Sequence, residues 1–482
     1  MFDWEWESFE DLINNRAVTI TDVGPLRAPI RTFVVRRDEK LKLVLETQAD
    51  QKAESRMLAH PLGTVRANSD TVTFSGGMGT FVAHGVQPGS YSRTLGDNPA
   101  EGGLREVSSI HSLEGNLIHP GTEITYVIDW LANVSNSFVW PHFTEDNRDN
   151  TKTRRLHDGV NGIDLKSSSG GEGRSRNCVR FAVGEHVVYL ATCKAPEGKQ
   201  ITNSGFILYE GNPPKELRKK IVDCVSFALG VFLVRLGSSS FDKDWNKVSF
   251  DAISAYALGG KAFEHGALPP APLGMRYQLE ITPPLLDRMV SALFKGYESL
   301  RLGSLCWAYW HAVCATPHIA AVHFGAAIEA LQASYLEANK GVIKTALIGK
   351  ESWAILSNTC RTAIEGLAED EATKSVLRNK VGDFNNPPQG VITDRLLEVL
   401  HLNLGERERK AWKRRNDAGH GNELDPEGYI ELIRDIKLLR IRFNRLLFAM
   451  TGATDFYNDH FTIDHPIRNL ADPVPEQTDL EP

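Results

Sequence analysis

The sequence predicts an α+β protein: a β-rich N-terminal half, built as a sandwich or irregular barrel, followed by an all-α bundle. Three observations carry this. The first half holds short β-branched and aromatic runs separated by Gly, Asn, Asp and Pro. A proline-rich stretch follows, with Pro269, Pro270, Pro272, Pro283 and Pro284. Beyond it, apolar residues recur at three- and four-residue spacing almost to the end of the chain.

The β-type runs lie at 32–35, 42–45, 71–74, 124–128 and 187–190. Their spacing suits a sandwich or barrel. Residues 166–177 are rich in Ser and Gly, include Arg174 and Arg176, and predict a surface loop. Helical periodicity first appears after Pro213-Pro214 and runs to about Leu236. Proline removes backbone donors and stops helices, so the boundary between the halves is expected near residue 284. Helices are predicted at 285–300, 302–315, 319–338, 351–367, 371–380, 393–401, 406–418 and 426–450. Asp425-Pro426 marks the start of the last one, with Asp as a cap and Pro at the first helical position. The expected organisation is a β-rich domain over 1–212, a helix and Pro-rich connector over 213–284 and a helical domain over 285–452. A tail over 453–482 is expected to be extended or disordered; after Ala453 it carries seven acidic residues and one basic one.

Composition bounds the function. A chain of 482 residues with 41% hydrophobic and 24% charged residues is an ordinary globular protein. Its net charge of −7 excludes a basic nucleic-acid wrapper, so contact with an anionic partner must come from a local patch. The acidic N-terminus lacks a signal peptide's basic and apolar regions. The most apolar stretch, 221–234, is interrupted by Asp223 and Ser226 and is too short to span a bilayer. Six cysteines without a CxxC pair suggest neither disulfides nor a zinc ribbon. A cytoplasmic protein away from membranes is expected.

The most informative segment is 406–421. Within 407–415 there are six basic residues, one acidic residue and Trp412. Arg407, Arg409, Lys410, Lys413 and Arg414, with Trp412 among them, suit a phosphate backbone and unstacked bases; a solvated helix face is the plainer alternative. The segment ends in Arg415-Asn416-x-x-x-His420, where Asn416 and His420 would share a helix face. Gly419 and Gly421 predict the helix end there, where the dipole favours an imidazolium. Arg415 offers a fixed fork of donors for phosphate oxygens. The three could perform phosphodiester transfer, with His420 moving the proton of a ribose 2′-hydroxyl and Arg415 stabilising charge at phosphorus.

This pattern, late in an all-α domain, resembles the signature of the HEPN ribonucleases. A β-rich first half followed by a helix such as His323-Phe-Gly-Ala-Ala-Ile-Glu-Ala-Leu331 is similar to the ApeA-like branch. The resemblance implies metal-independent RNA cleavage in anti-phage defence, with no cofactor. It also implies a homodimer or higher homo-oligomer whose motifs meet; the first half is expected to sense a phage-derived or cellular trigger or to restrain the helical half. HEPN sites often include an acidic residue from an earlier helix. Glu329 is that candidate here, with Arg415 as its partner; a purely structural ion pair is the alternative reading. Asp417 is a further, exposed candidate.

Other clusters carry less. His318 and His323 are five apart, a poor spacing for a helical metal pair, and His311 adds no better one. Asp459-His460 and Asp464-His465 repeat in the tail. Gly76-Gly77-Met78-Gly79 does not open a helix, so it is no dinucleotide loop. Arg434, Lys437, Arg440, Arg442 and Arg445 would either extend an RNA track or pack their stems on the bundle. The rival to the nuclease is a non-catalytic scaffold that holds RNA or a protein partner through the same basic run.

Overall fold

The computed structural model describes residues 8–14, 17–55, 63, 70–94, 103–117, 122–157, 162–193, 203–419 and 426–476. The fold is α+β, a β-rich region followed by a helical one. The chain divides into two units, Met1–Ser291 and Ala292–Pro482.

The first unit begins with α1 (Ser8–Ile13), β1 (Thr19–Asp22), β2 (Arg27–Arg37), β3 (Leu43–Ser55), β4 (Thr71–Gly76) and β5 (Gly79–His84). Then come β6 (Gln87–Thr94), β7 (Gly103–Ile110), β8 (Ser112–Leu117), β9 (Tyr126–Ala132), β10 (His142–His157) and β11 (Gly162–Val183). It ends with β12 (His186–Thr192), β13 (Gly205–Glu210), α2 (Lys215–Leu229), β14 (Val234–Phe241) and β15 (Lys247–Ile253). Among the described residues, eleven strands form one sheet in the order β1-β4-β5-β8-β15-β14-β9-β13-β12-β11-β10. A second sheet has the order β2-β3-β7-β6. Strands such as β7 alternate between buried and less buried positions, as a half-covered sheet requires. The two sheets and α1 share a core of Phe9, Ile13, Val35, Leu45, Phe74 and Phe81. Arg37 links the sheets: its guanidinium donates to the carbonyls of Leu41, Ile253 and Leu236 at 2.6–2.9 Å. Burial lowers its pKa to about 10.

Two expectations change here. Residues 213–284 are not a connector, because β14 and β15 sit in the middle of the large sheet and α2 is tied to it. Arg218 on α2 pairs with the fully buried Asp129 of β9. Residues 166–177 are not a loop but lie in β11, antiparallel to β10, with Lys166 opposite Thr153 and Ser175 opposite Thr144. Ladder pairing uses backbone groups that every residue carries, so a Ser/Gly composition does not forbid it.

Helix α3 (Pro283–Lys295) crosses the division between the units. Its first turns belong with the sheet: Asp287 accepts from the Ala182 amide at 2.7 Å, and Ser291 donates to the Ala182 carbonyl at 3.2 Å.

The second unit contains α4 (Leu302–Cys314), α5 (Pro317–Ala338), α6 (Lys350–Glu365), α7 (Glu371–Asp383), α8 (Gln389–Val399), α9 (Glu406–Gly419) and α10 (Pro426–Thr451). Proline opens α5 and α10, where its missing N–H costs nothing. Asp370 caps α7 by accepting from the Thr373 amide at 2.7 Å. Helices α4, α5 and α10 meet at Tyr309, whose ring lies 5.7 Å from Phe324 and 5.3 Å from Phe443. The expected tail over 453–476 is folded instead. The short strands β16 (Phe456–Asn458) and β17 (Ile467–Asn469) pair, and Tyr457 and Val474 join a core with Ala411, Leu438 and Ile441. Four apolar or aromatic anchors (Tyr457, Phe461, Leu470, Val474) outweigh the acidic composition that argued for disorder.

Lys247 gives a measurable pH signature in the first unit. Burial lowers its pKa to about 8, so the folded state releases its proton before the unfolded state does. The unfolded chain binds more protons between pH 8 and the ordinary lysine range, and stability must rise with pH across that window. Urea unfolding of wild type against Lys247→Met should show the variant more stable below pH 8, with the gap closing by about pH 10.5. A gap independent of pH would refute the assignment.

Candidate functional site

Helix α9 is built around one buried acid in a basic segment. Glu408 stands in its first turn, where a carboxylate faces the positive end of the helix dipole. One of its oxygens accepts from the Gly405 amide at 2.9 Å, half of a capping box. The other meets Arg445 of α10 at 2.6 Å, with both side chains 1% exposed or less. Arg445 also donates to the carbonyls of Leu470, Asn403 and Ala471. Its guanidinium lies 5.1 Å from the Tyr457 ring centroid. Ala411, Trp412 and Arg415 follow Glu408 at helical spacing, so the same side of α9 turns inward.

Arg415 is held on several sides. One terminal nitrogen bonds Glu329 of α5 at 2.5 Å, and the other donates to the Trp412 carbonyl at 2.6 Å. Its guanidinium carbon lies 3.5 Å from the Trp412 ring centroid. Its stem crosses α5 at Gly325, where a Cβ would stand 2.9 Å from Arg415 Cδ. The arginine is therefore fixed in position, with 15% of its side chain exposed beside a Glu329 that is 47% exposed. Glu329 is thus not buried in an apolar face; it stands at the solvent edge.

A second guanidinium, from the buried Arg442, lies 4.3 Å from the Trp412 centroid. Burial lowers the Arg442 pKa to about 10, and the nearby Arg415, Arg409 and Arg445 act in the same direction. With two cations on its π surface, Trp412 is a packing element rather than an open stacking platform.

The rest of the basic run is largely neutralised by neighbours. Arg407 pairs with Glu476 at 3.5 Å, Arg409 with Asp394 at 3.0 Å, and Lys410 with Glu406 at 2.7 Å. Arg414 makes a two-pronged bond to Asp435. Lys413 is exposed and has no ionic partner among the described residues. The second basic stripe is split, with Arg434 and Lys437 exposed and the rest turned inward. Arg442 and Arg445 are buried, Arg440 donates to the Tyr309 hydroxyl at 2.9 Å, and Arg434 pairs with Glu431.

Asn416 and Asp417 lie on the last turns of α9, but their side chains fall outside the described residues, as does all of His420. In the tail, Asp459 accepts from Thr462 and Arg468 and is a structural anchor. The rings of His311 and His323 lie 6.3 Å apart. Among the described residues no group of three His, Cys, Asp or Glu is placed to hold a metal ion. All six cysteines are unbridged. Helix α5 alone among the described helices is long and apolar enough to cross a membrane, and half of that window is buried inside the protein.

Sequence reasoning missed Gly325, Glu408 and Arg442 as parts of the site. Gly325 did carry a signal: a mid-helix glycine costs about 1 kcal/mol relative to alanine, and it sits one turn before Glu329. Glu408 was the single acid in the basic run. Nothing in the sequence distinguished Arg442 from its neighbours. No protein-family model, curated protein or solved structure matches this chain.

Removing Glu408 alone strands the Arg445 charge in the interior. Glu408→Ala should lower unfolding free energy by about 3–5 kcal/mol. The double change Glu408→Leu with Arg445→Met should recover at least half of that. A single variant as stable as wild type would exclude the buried pair as the anchor of α9.

Proposed function

We propose that this protein is a metal-independent endoribonuclease of the HEPN type, acting in anti-phage defence. The observation that carries the proposal is the immobilised Arg415 at the solvent edge of α9, beside Glu329. That arginine is the first residue of the sequence Arg415-Asn416-x-x-x-His420. A phosphodiester fits such a group because a fixed guanidinium loses little freedom when it binds an oxyanion. Glu329 orients Arg415 before substrate arrives and shares it with a phosphate afterwards. In the reaction, His420 takes the proton from a ribose 2′-hydroxyl. The 2′-oxygen attacks phosphorus, the bond to the 5′-oxygen breaks, and that oxygen receives a proton. The products are a 2′,3′-cyclic phosphate and a 5′-hydroxyl.

The remaining parts of the reading are a cytoplasmic homodimer that brings two motifs together, and a β-rich unit that senses a phage-derived or cellular trigger. An ApeA-like role follows from the resemblance of the two-part organisation. The second reading is a non-catalytic scaffold that holds RNA or a protein partner; the ion pairs of Arg407, Arg409, Lys410 and Arg414 occupy most of the cations that would track RNA and favour the protein partner within it.

The deciding measurement is cleavage of single-stranded RNA in EDTA by wild type, Arg415→Ala and His420→Ala. Each variant should lose at least about 100-fold in rate. Undiminished cutting by both variants overturns the mechanism, and loss of wild-type cutting on chelation overturns metal independence. RNA that binds with strong salt dependence but stays intact establishes the scaffold.

A further inference from the structure

A trough runs along α5, and its construction follows from helical geometry. Positions on a helix advance by about 100° per residue. Gly325 faces α9, where Arg415 crosses it. His323 lies roughly 160° around the helix from Gly325 and meets His311 of α4, at 6.3 Å between ring centroids. Between these flanks Val322, Ala326, Glu329 and Ala330 are exposed. Three of the four are small or short apolar side chains, so the floor is low between two walls. One wall is Arg415. The other is α4, where Trp307 is 56% exposed.

Trp307 differs from Trp412 in being open. Its ring packs against that of His311, with 3.8 Å between centroids and the planes 32° apart. His311 is itself fixed, since its Nδ1 bonds the Trp307 carbonyl at 2.8 Å. A carbonyl only accepts, so that nitrogen carries a proton. The indole is thereby held in one plane while much of it faces solvent. Most exposed tryptophan surface is unfavourable in water, and a fixed, open indole suits a planar ring.

The charge pattern tolerates an anion. The protein is acidic overall, yet α4 carries no Asp or Glu. The acids of α5 are Glu329 and Glu337, and both are paired with arginines, Arg415 and Arg301 respectively. A polyanion laid along the trough therefore meets no uncompensated carboxylate on these two helices. It meets the neighbouring imidazoles of His311 and His323.

We propose that this trough seats single-stranded RNA, with one base stacked on Trp307 and a phosphate reaching Arg415. The proposal rests on the ribonuclease reading of Arg415 and adds to it the base platform. Selection for single strands follows, because a base within a duplex has no open face to offer an indole.

The test uses the full-length protein and a fluorescently labelled 2′-O-methyl oligonucleotide, which lacks the attacking hydroxyl and stays intact during titration. Trp307→Ala should weaken binding about 10-fold, while Trp307→Phe should stay within about 3-fold of wild type. The slope of affinity against salt should not change, because the indole contacts no phosphate. Sedimentation of both variants must match wild type. Binding by Trp307→Ala equal to wild type overturns the platform, even where wild type cuts RNA and Arg415→Ala does not. A variant that binds weakly only because it has lost a partner copy also overturns it, making the trough a surface between chains. Wild type that neither binds nor cuts RNA overturns this proposal and the ribonuclease reading together.

Discussion

The Glu408–Arg445 pair is the constraint on which the helical unit is arranged. Both charges are out of water, and each has the further polar partners that such burial demands. A buried ion pair adds little net stability over an apolar pair of the same shape. What it adds is geometry: Glu408 can sit only where both the Gly405 amide and the Arg445 guanidinium reach it. That fixes the start of α9 against α10. The carbonyls of Leu470 and Ala471 then fix the C-terminal segment against the same arginine. Glu476 completes the closure by accepting from the Arg407 amide.

With its first turn pinned, α9 presents the rest of its inward side in a set order. Ala411 enters the core, Trp412 fills the space beside the buried Arg442, and Arg415 emerges at the edge over Gly325. Apart from the exposed Lys413, the basic run is thus two populations. Arg407, Arg409, Lys410 and Arg414 are matched by nearby acids on α8, α9, α10 and the C-terminal segment. Arg415 alone is both immobilised and next to the motif that could use it. The acidic character of the chain is consistent with this arrangement, since many of its carboxylates are spent internally on arginines.

The β-rich unit uses the same device in a different setting. Asp129 on the central strand β9 is fully buried and meets Arg218 from α2. Burial raises the Asp129 pKa against the pull of Arg218, so the carboxyl depends on its partner to stay charged. The pair places α2 on the sheet, much as Glu408 places α9 on α10. In both units a directional polar contact sets the register of elements whose apolar faces would tolerate more than one.

The sequence by itself determined the fold class, the change from β to α, and the seven helices of the second unit. Those features depend on local periodicity and on Pro and Gly, which act within one or two turns of chain. It also pointed to Arg415 and Glu329, because the motif supplied a cation and an earlier helix an acid for it to meet. Only the tertiary structure decided which cations face water. Arg442 and Lys437 sit five residues apart on one helix and look alike as letters, yet one is buried and the other exposed. The Ser/Gly-rich strand and the folded C-terminal segment were illegible for a related reason. Their stability comes from partners distant in sequence: β10 for one, Ala411, Leu438 and Ile441 for the other. Composition describes what a segment contains, and burial depends on what it meets.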